Sequence, residues 1–343
     1  MRFKSFDFGK EVCIDLGTAN TLVHIKGKGI VVREPSVVAI DKYTKKVLAV
    51  GNDADEMMGR TPENILAIRP VRDGVIADFE ITEAMMKRLL SLALGKRGSF
   101  FKPTVTVCVP AGITDVEKRA VLQATMLAGA KSVILLEEPM AAAIGAGVDV
   151  LKAEGSMVCD IGGGTCEAAV ISLGGVVTAK SMRMAGCALD NAITQYVKKK
   201  YNLTIGDKTA EEIKIELGSA QPYADEGYYE VRGRDVVTGL PKNVKISAME
   251  VREAISDNIA SLIEEIRDTL EITPAELTAD VLENGIVLTG GGALIRGLDK
   301  VIENAIGVPV KVSENPLECV CLGAAAAMEN EEILMRSPIA RSK

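Results

Sequence analysis

Two short stretches carry the residue types that grip a polyphosphate. In Cys13-Ile14-Asp15-Leu16-Gly17-Thr18-Ala19-Asn20-Thr21, an apolar run ends in an aspartate, an aliphatic residue and a glycine, and a small polar turn feeds a second apolar run, Leu22 to Ile25. The same order returns in Cys159-Asp160-Ile161-Gly162-Gly163-Gly164-Thr165, followed by Ala168 to Ile171. Each stretch reads as a β-hairpin whose glycines let backbone N–H groups approach anionic oxygens. Asp15 and Asp160 end their strands where a Mg²⁺, which takes one or two carboxylates plus waters and phosphate oxygens, would sit. A single Asp-x-Gly turn is ordinary hairpin chemistry, but two matched copies favour a phosphate clamp. A weaker third element, Ile286-Val287-Leu288-Thr289-Gly290-Gly291-Gly292, predicts a strand, a glycine turn and a helix from about Leu294. Its functional reading sets an adenine or ribose against the backbone of Gly290, Gly291, Gly292 and Ala293; the plainer one is a tight strand-to-helix turn. Neither a GxxxxGK[ST] run nor GxGxxG spacing is present.

These turns need strands and helices to hold them. Short β-rich runs alternate with helical stretches, as in Val105 to Val109, Asp115 to Ala128 and Ser132 to Leu136, which predicts an α/β fold with mixed or parallel sheets. Thr114-Asp115-Val116-Glu117 is a capping signal for the middle helix, and Gly129 closes it. The echo between the hairpins implies two homologous halves, and 343 residues is enough chain for two lobes with real cores. No low-complexity segment or long linker separates them, so the lobes are expected to exchange the chain more than once.

Composition narrows the function. Apolar residues at 48% and charged residues at 25% predict a compact globular protein. Forty Lys plus Arg against 47 Asp plus Glu, a net charge of −7, argues against nucleic acid as a partner. A single histidine, His24 in a strand-like run, rules out a multi-histidine metal site and leaves catalysis to carboxylates, hydroxyls, lysines or backbone amides. Seven scattered cysteines without a CxxC pair read as buried reduced thiols of a cytosolic protein. No signal-peptide core and no window of about 18 apolar residues is present, so neither export nor a membrane span is expected.

The paired hairpins and glycine turn resemble, in order and spacing, the superfamily of actin, heat-shock chaperone and sugar kinase ATPases. Within it the chain is more closely similar to the bacterial actin homologues of the MreB family, over about residues 11 to 325. The blocks that carry this likeness include Glu34-Pro35-Ser36-Val37-Val38-Ala39-Ile40, Ile68-Arg69-Pro70, Asp73-Gly74-Val75-Ile76-Ala77-Asp78 and Glu137-Glu138-Pro139-Met140-Ala141-Ala142-Ala143-Ile144-Gly145. The resemblance implies an actin-like, ribonuclease H-like duplicated α/β fold, with two lobes and four subdomains around a nucleotide cleft. Subdomain IA would comprise 9–31, 70–142 and 317–340, IB 32–69, IIA 143–183 and 262–316, and IIB 184–261. It implies ATP and Mg²⁺ as cofactors, slow ATP hydrolysis coupled to filament assembly, paired protofilaments and a role in cell shape. Glu138 and Thr165 would position the attacking water. Gly17, Thr18, Ala19, Asn20 and Gly162 to Thr165 would hold phosphates, while Glu211 and Lys214, three apart on one helical face, would flank the ribose and adenine. Read without the resemblance, that pair is a solvated ion pair, and Lys198-Lys199-Lys200 is a wet helix face.

Two positions depart from the family pattern: Cys166 replaces a usual Thr or Ser, a swap that should be tolerated, and Cys187 replaces a usual Asp. Losing that carboxylate beside the nucleotide is expected to disturb affinity or turnover. Phe100 and Phe101, flanked by Lys96, Arg97 and Lys102, suit insertion into an anionic bilayer surface, as does the cluster of Phe3, Phe6 and Phe8. The family likeness places a membrane loop at this point, implies membrane proteins of the shape or wall-synthesis machinery as partners, and places the protein in the cytoplasm at the inner face of the membrane. Two rivals share the superfamily. A sugar-kinase-like enzyme needs acceptor-pocket insertions for which Gly29 to Gly74 leaves little room, and a chaperone needs a peptide-binding domain beyond the about 20 residues after Gly323.

Overall fold

The computed structural model describes residues 10–95, 102–336 and 340–342; Phe3, Phe6, Phe8, Phe100 and Phe101 lie outside the described residues. It divides into two units, one running to Gly147 and resuming at Val320, the other comprising Val148–Cys319. The chain therefore leaves the first unit and returns to it.

In the first unit the hairpin strands Glu11–Leu16 and Asn20–Ile25 pair antiparallel, and Gly29–Pro35 adds a third antiparallel strand. On its other side Glu11–Leu16 pairs in parallel with Thr104–Val109, which pairs in parallel with Ser132–Glu137. The second unit repeats this plan. Ser156–Ile161, Cys166–Ser172 and Gly175–Met182 form the antiparallel meander, and Ser156–Ile161 pairs in parallel with Ile286–Thr289, then Val310–Val312. The sequence echo is thus one sheet topology built twice. The strands read as continuous apolar runs because both sheet faces are covered; every residue of Cys166–Ser172 is buried.

Helices supply the cover. Phe79–Leu94, capped by Asp78, buries Ile81, Met85, Met86, Leu89 and Leu90 in the first core beside Ile14, Val107 and Leu135. Asp115–Leu127 opens on a capping box of Thr114 and Glu117, and Gly129 follows with φ 118°. In the second unit Gly186–Tyr201 and Ala248–Glu271 bury Ile193, Val197, Ile255 and Ile266 against Cys159, Ile161 and Leu288. All seven cysteines are free, six of them buried and Cys187 half-buried.

One element boundary differs from the sequence reading. After Ile286–Thr289 the chain makes only a 3₁₀ turn, Gly291–Leu294, and the α-helix starts at Leu298. Gly290 and Gly297 take φ of 78° and 72°, conformations open to glycine, and the segment between them cannot continue as one helix. Glu138 begins the helix Glu138–Gly145, with Pro139 in the first turn, where proline's missing N–H costs nothing. No described helix is long and apolar enough to cross a membrane.

Candidate functional site

The first unit assembles the hairpin turn and two carboxylates. Asp15 lies opposite Leu22 on one side and Cys108 on the other. Burial pushes the Cys108 thiol well up, and the charges of Asp15 and Glu138 push it further. Glu138 is only 8% exposed. At the turn, a Cβ on Gly17 would stand 2.6 Å from Asn20 O, so glycine is required for the chain to close there. The turn's carbonyls are tied backwards: Ser36 Oγ donates to Gly17 O at 2.6 Å, Ser36 N donates to Ala19 O at 2.9 Å, and Arg69 Nη1 donates to Ala19 O at 3.0 Å. With those acceptors engaged, the N–H groups are the turn's means of meeting an anion. Ser36 and Arg69 stood in the blocks quoted for the resemblance but carried no role there.

The second unit gathers the rest. Asp160 is 6% exposed and accepts from Thr289 Oγ1 at 2.6 Å, joining the second hairpin to the strand that leads into the third glycine turn. Burial pushes its carboxyl from 3.8 up to about 6, while the Thr289 hydrogen bond pulls the other way. Gly162 N donates to Thr165 O at 2.9 Å and closes the turn, and buried Thr165 starts the return. Gly290 sits on the end of the Asp160 strand, where a Cβ would stand 2.9 Å from Ile161 N, and a Cβ on Gly292 would collide with the Ile161 side chain. The glycines thus let two turns touch.

Lys214 on helix Asp207–Leu217 joins this set, but not through Glu211. Its Nζ pairs with Asp190 at 2.8 Å and donates to Gly186 O at 3.1 Å. The solvated Glu211–Lys214 pair is therefore not what the fold makes of that spacing, because the lysine stem turns inward to helix Gly186–Tyr201. Asp190 went unnoticed in the sequence, which carries no local signal for it. Cys187 lies in the first turn of that helix and donates its N–H to Gly163 O at 2.8 Å. Cys166 Sγ lies 3.7 Å from Cys159 Sγ in the core, so this departure from the family pattern is absorbed by a matching thiol.

The chemistry fits a Mg-nucleotide. A buried carboxylate whose burial disfavours its charge gains from a cation nearby. Among the described residues no three His, Cys, Asp or Glu are grouped to hold a metal ion, so a Mg²⁺ here would complete its shell with waters and phosphate oxygens, as this ion does.

A family profile described as MreB/Mbl protein matches residues 9–336. The cell shape-determining protein Mbl of Bacillus cereus is 50% identical over 323 residues, 94% of this chain and 97% of that protein. The cell shape-determining protein MreB of Escherichia coli is 50% identical over 328 residues, 94% of each. MreB5 of Spiroplasma citri, solved bound to ADP and to AMPPNP, is 36% identical with a TM-score of 0.91; the ADP structure covers 96% of this chain and 99% of its own.

Proposed function

The chain belongs to the MreB/Mbl family and has its actin-like fold, and from that premise we propose that it is a cytoskeletal ATPase that polymerises and determines cell shape. The match across residues 9–336 favours this reading over a sugar-kinase-like or chaperone-like ATPase. The observation that carries nucleotide binding is Asp160, buried, bonded to Thr289 and set where the glycine turn at Gly290 and Gly292 packs onto Ile161 of the second hairpin. The likeness to a structure bound to ADP and AMPPNP supports it.

In this proposal the turns Gly17–Asn20 and Gly162–Thr165 hold the phosphates through backbone N–H groups, and Glu211, Lys214 and Gly290–Ala293 hold the nucleoside. Asp15 and Asp160 hold Mg²⁺ through its waters, and the ion when bound neutralises charge on the phosphates. Glu138, in the first turn of its helix, orients a water for attack on the γ-phosphorus and draws off its proton, with Thr165 steadying the same water, while the bond from that phosphorus to the β–γ bridging oxygen breaks and ADP and phosphate leave. Hydrolysis is slow and timed to assembly into paired protofilaments. The division into four subdomains, the cytoplasmic place at the inner membrane face and membrane partners of the shape or wall-synthesis machinery belong to the same proposal.

Asp160→Ala is expected to abolish Mg-ATP binding by calorimetry. Glu138→Ala should keep binding and lower phosphate release about 10²-fold or more. Electron micrographs and pelleting with Mg-ATP should show filaments in the wild type, and phosphate release should not rise with added sugars. Equal phosphate release by Glu138→Ala and wild type would remove Glu138 from the mechanism, and failure of the wild type to pellet with ATP would overturn the cytoskeletal reading.

A further inference from the structure

The Asp190–Lys214 pair has a geometry that a surface ion pair does not. Both side chains are nearly buried, Asp190 at 14% and Lys214 at 13% exposure, with Nζ and Oδ1 2.8 Å apart. Lys214 passes over Glu211, three residues back on its own helix, to reach a carboxylate on another helix. Its ammonium has three N–H donors. One goes to Gly186 O at 3.1 Å, while the charge faces Asp190 Oδ1 in an ion pair, so donor capacity is left for a ligand.

Gly186 is itself bound to the phosphate turn. Its N–H donates to Gly162 O at 3.0 Å, and Cys187 N donates to Gly163 O at 2.8 Å, so the first amides of helix Gly186–Tyr201 bond the turn's carbonyls. A Cβ on Gly186 would stand 3.2 Å from Gly162 O and 3.5 Å from Lys214 Nζ, which is why glycine suits the meeting point. A continuous chain of contacts thus runs from Asp190 to Lys214, to Gly186, to the turn Gly162–Thr165. A flexible lysine stem reaches such a geometry only if its head is held, and a buried ammonium stays in place only beside a compensating charge.

We propose that Asp190 is a positioning residue for nucleotide binding: it holds the Lys214 ammonium between Gly186 O and the nucleoside, and so ties the nucleoside side of the site to the phosphate turn. This rests on the nucleotide-binding reading above. Asp190 touches no nucleotide in this scheme and acts through Lys214.

The test is a double-mutant cycle on ADP affinity by calorimetry, with thermal melts of each variant. Asp190→Asn keeps size and an acceptor but removes the charge, and is expected to weaken ADP binding about tenfold or more, in the range for a lost charged hydrogen bond. Lys214→Gln should weaken it to a similar extent, and the double variant no further than Lys214→Gln alone, since both remove one contact. Asp190→Glu should restore affinity to within about threefold of wild type. In steady-state ATP hydrolysis, Asp190→Asn should raise KM by a larger factor than it lowers kcat. Unchanged ADP affinity in Asp190→Asn, or losses that add in the double variant, would overturn the proposal. If Asp190→Asn does not fold, Lys214→Gln decides alone, and full ADP affinity there overturns it equally. Wild-type protein that binds no ADP would instead overturn the nucleotide reading on which this rests.

Discussion

Cys187 shows how one side chain can leave a backbone role intact and change the chemistry. Its N–H holds the turn Gly162–Thr165 through Gly163 O, a bond any residue but proline would make. What the thiol cannot supply is negative charge in the first turn of a helix, where the backbone dipole favours an anion by about 0.3 to 1 kcal/mol. Cys187→Asp is therefore expected to raise the preference for Mg-loaded over Mg-free nucleotide, because an added carboxylate repels bare phosphate oxygens and is screened by the ion. Paired titrations with and without Mg²⁺ measure this. If preference, affinity and ATPase rate are all unchanged, the position is merely structural. Cys166 differs in kind: buried beside Cys159, it fills core volume, so its departure from the family pattern leaves the turn's hydrogen bonds as they are.

The helix Ala248–Glu271 supports the second unit through its first turn. Ser247 Oγ accepts from Glu250 N at 3.3 Å, and Glu250 Oε2 accepts from Ser247 N and Oγ at 2.7 Å, a reciprocal cap. The other carboxylate oxygen, Oε1, takes Lys200 Nζ at 2.7 Å and Tyr201 OH at 2.5 Å, fastening helix Gly186–Tyr201 to the same point. Lys198, Lys199 and Lys200 are all exposed, as the reading of a wet lysine face expects, and Lys200 also pairs with Glu250. Ser247→Ala is expected to cost about 1 kcal/mol, read as a lower denaturation midpoint. Burial pushes the Glu250 carboxyl up, yet the hydrogen bonds from Lys200, Tyr201 and Ser247 prevail and hold it at about 2 against an ordinary 4.5. A folded value below the unfolded one stabilises the protein fully above pH 4.5, and that stability is lost as pH falls from 4.5 towards 2. Glu250→Gln should thus be less stable than wild type at pH 7 and approach it at pH 3. A gap that stays constant across those melts would show that the carboxylate's charge is irrelevant.

For the molecule as a whole, the proposed function couples self-assembly to membrane attachment. In that proposal Phe100 and Phe101 with nearby lysine and arginine would form at most a weak anchor, each cation adding about 1 kcal/mol at an anionic surface. Repetition along a filament multiplies such anchors by effective concentration. Polymers should therefore sediment with anionic vesicles much more strongly than monomers. Phe100→Ser with Phe101→Ser, in a chain also lacking Phe3 to Phe8, should lose most of that co-sedimentation and keep ATP-dependent pelleting. Undiminished vesicle binding by those filaments would assign the anchor elsewhere.

Much of the architecture was legible in residue order alone, because it is local. The strand–turn–strand grammar around Asp15 and Asp160, the glycines where the chain must turn, and the Thr114 cap each depend on neighbours a few residues away, and the repeated hairpin announced the repeated sheet. The partners that give those residues their electrostatics were not legible. Thr289 meets Asp160 across 129 residues, Arg69 meets Ala19 across 50, and Asp190 draws Lys214 away from Glu211. Such pairings leave no periodicity in the chain, since they follow from sheet register and helix packing. The late start at Leu298 has the same origin: apolar spacing after the glycine turn allows a helix, but the close approach of Gly290 and Gly292 to Ile161 holds the backbone in another path. Residue types thus determined what chemistry was possible, and long-range packing decided which atoms were brought within reach of it.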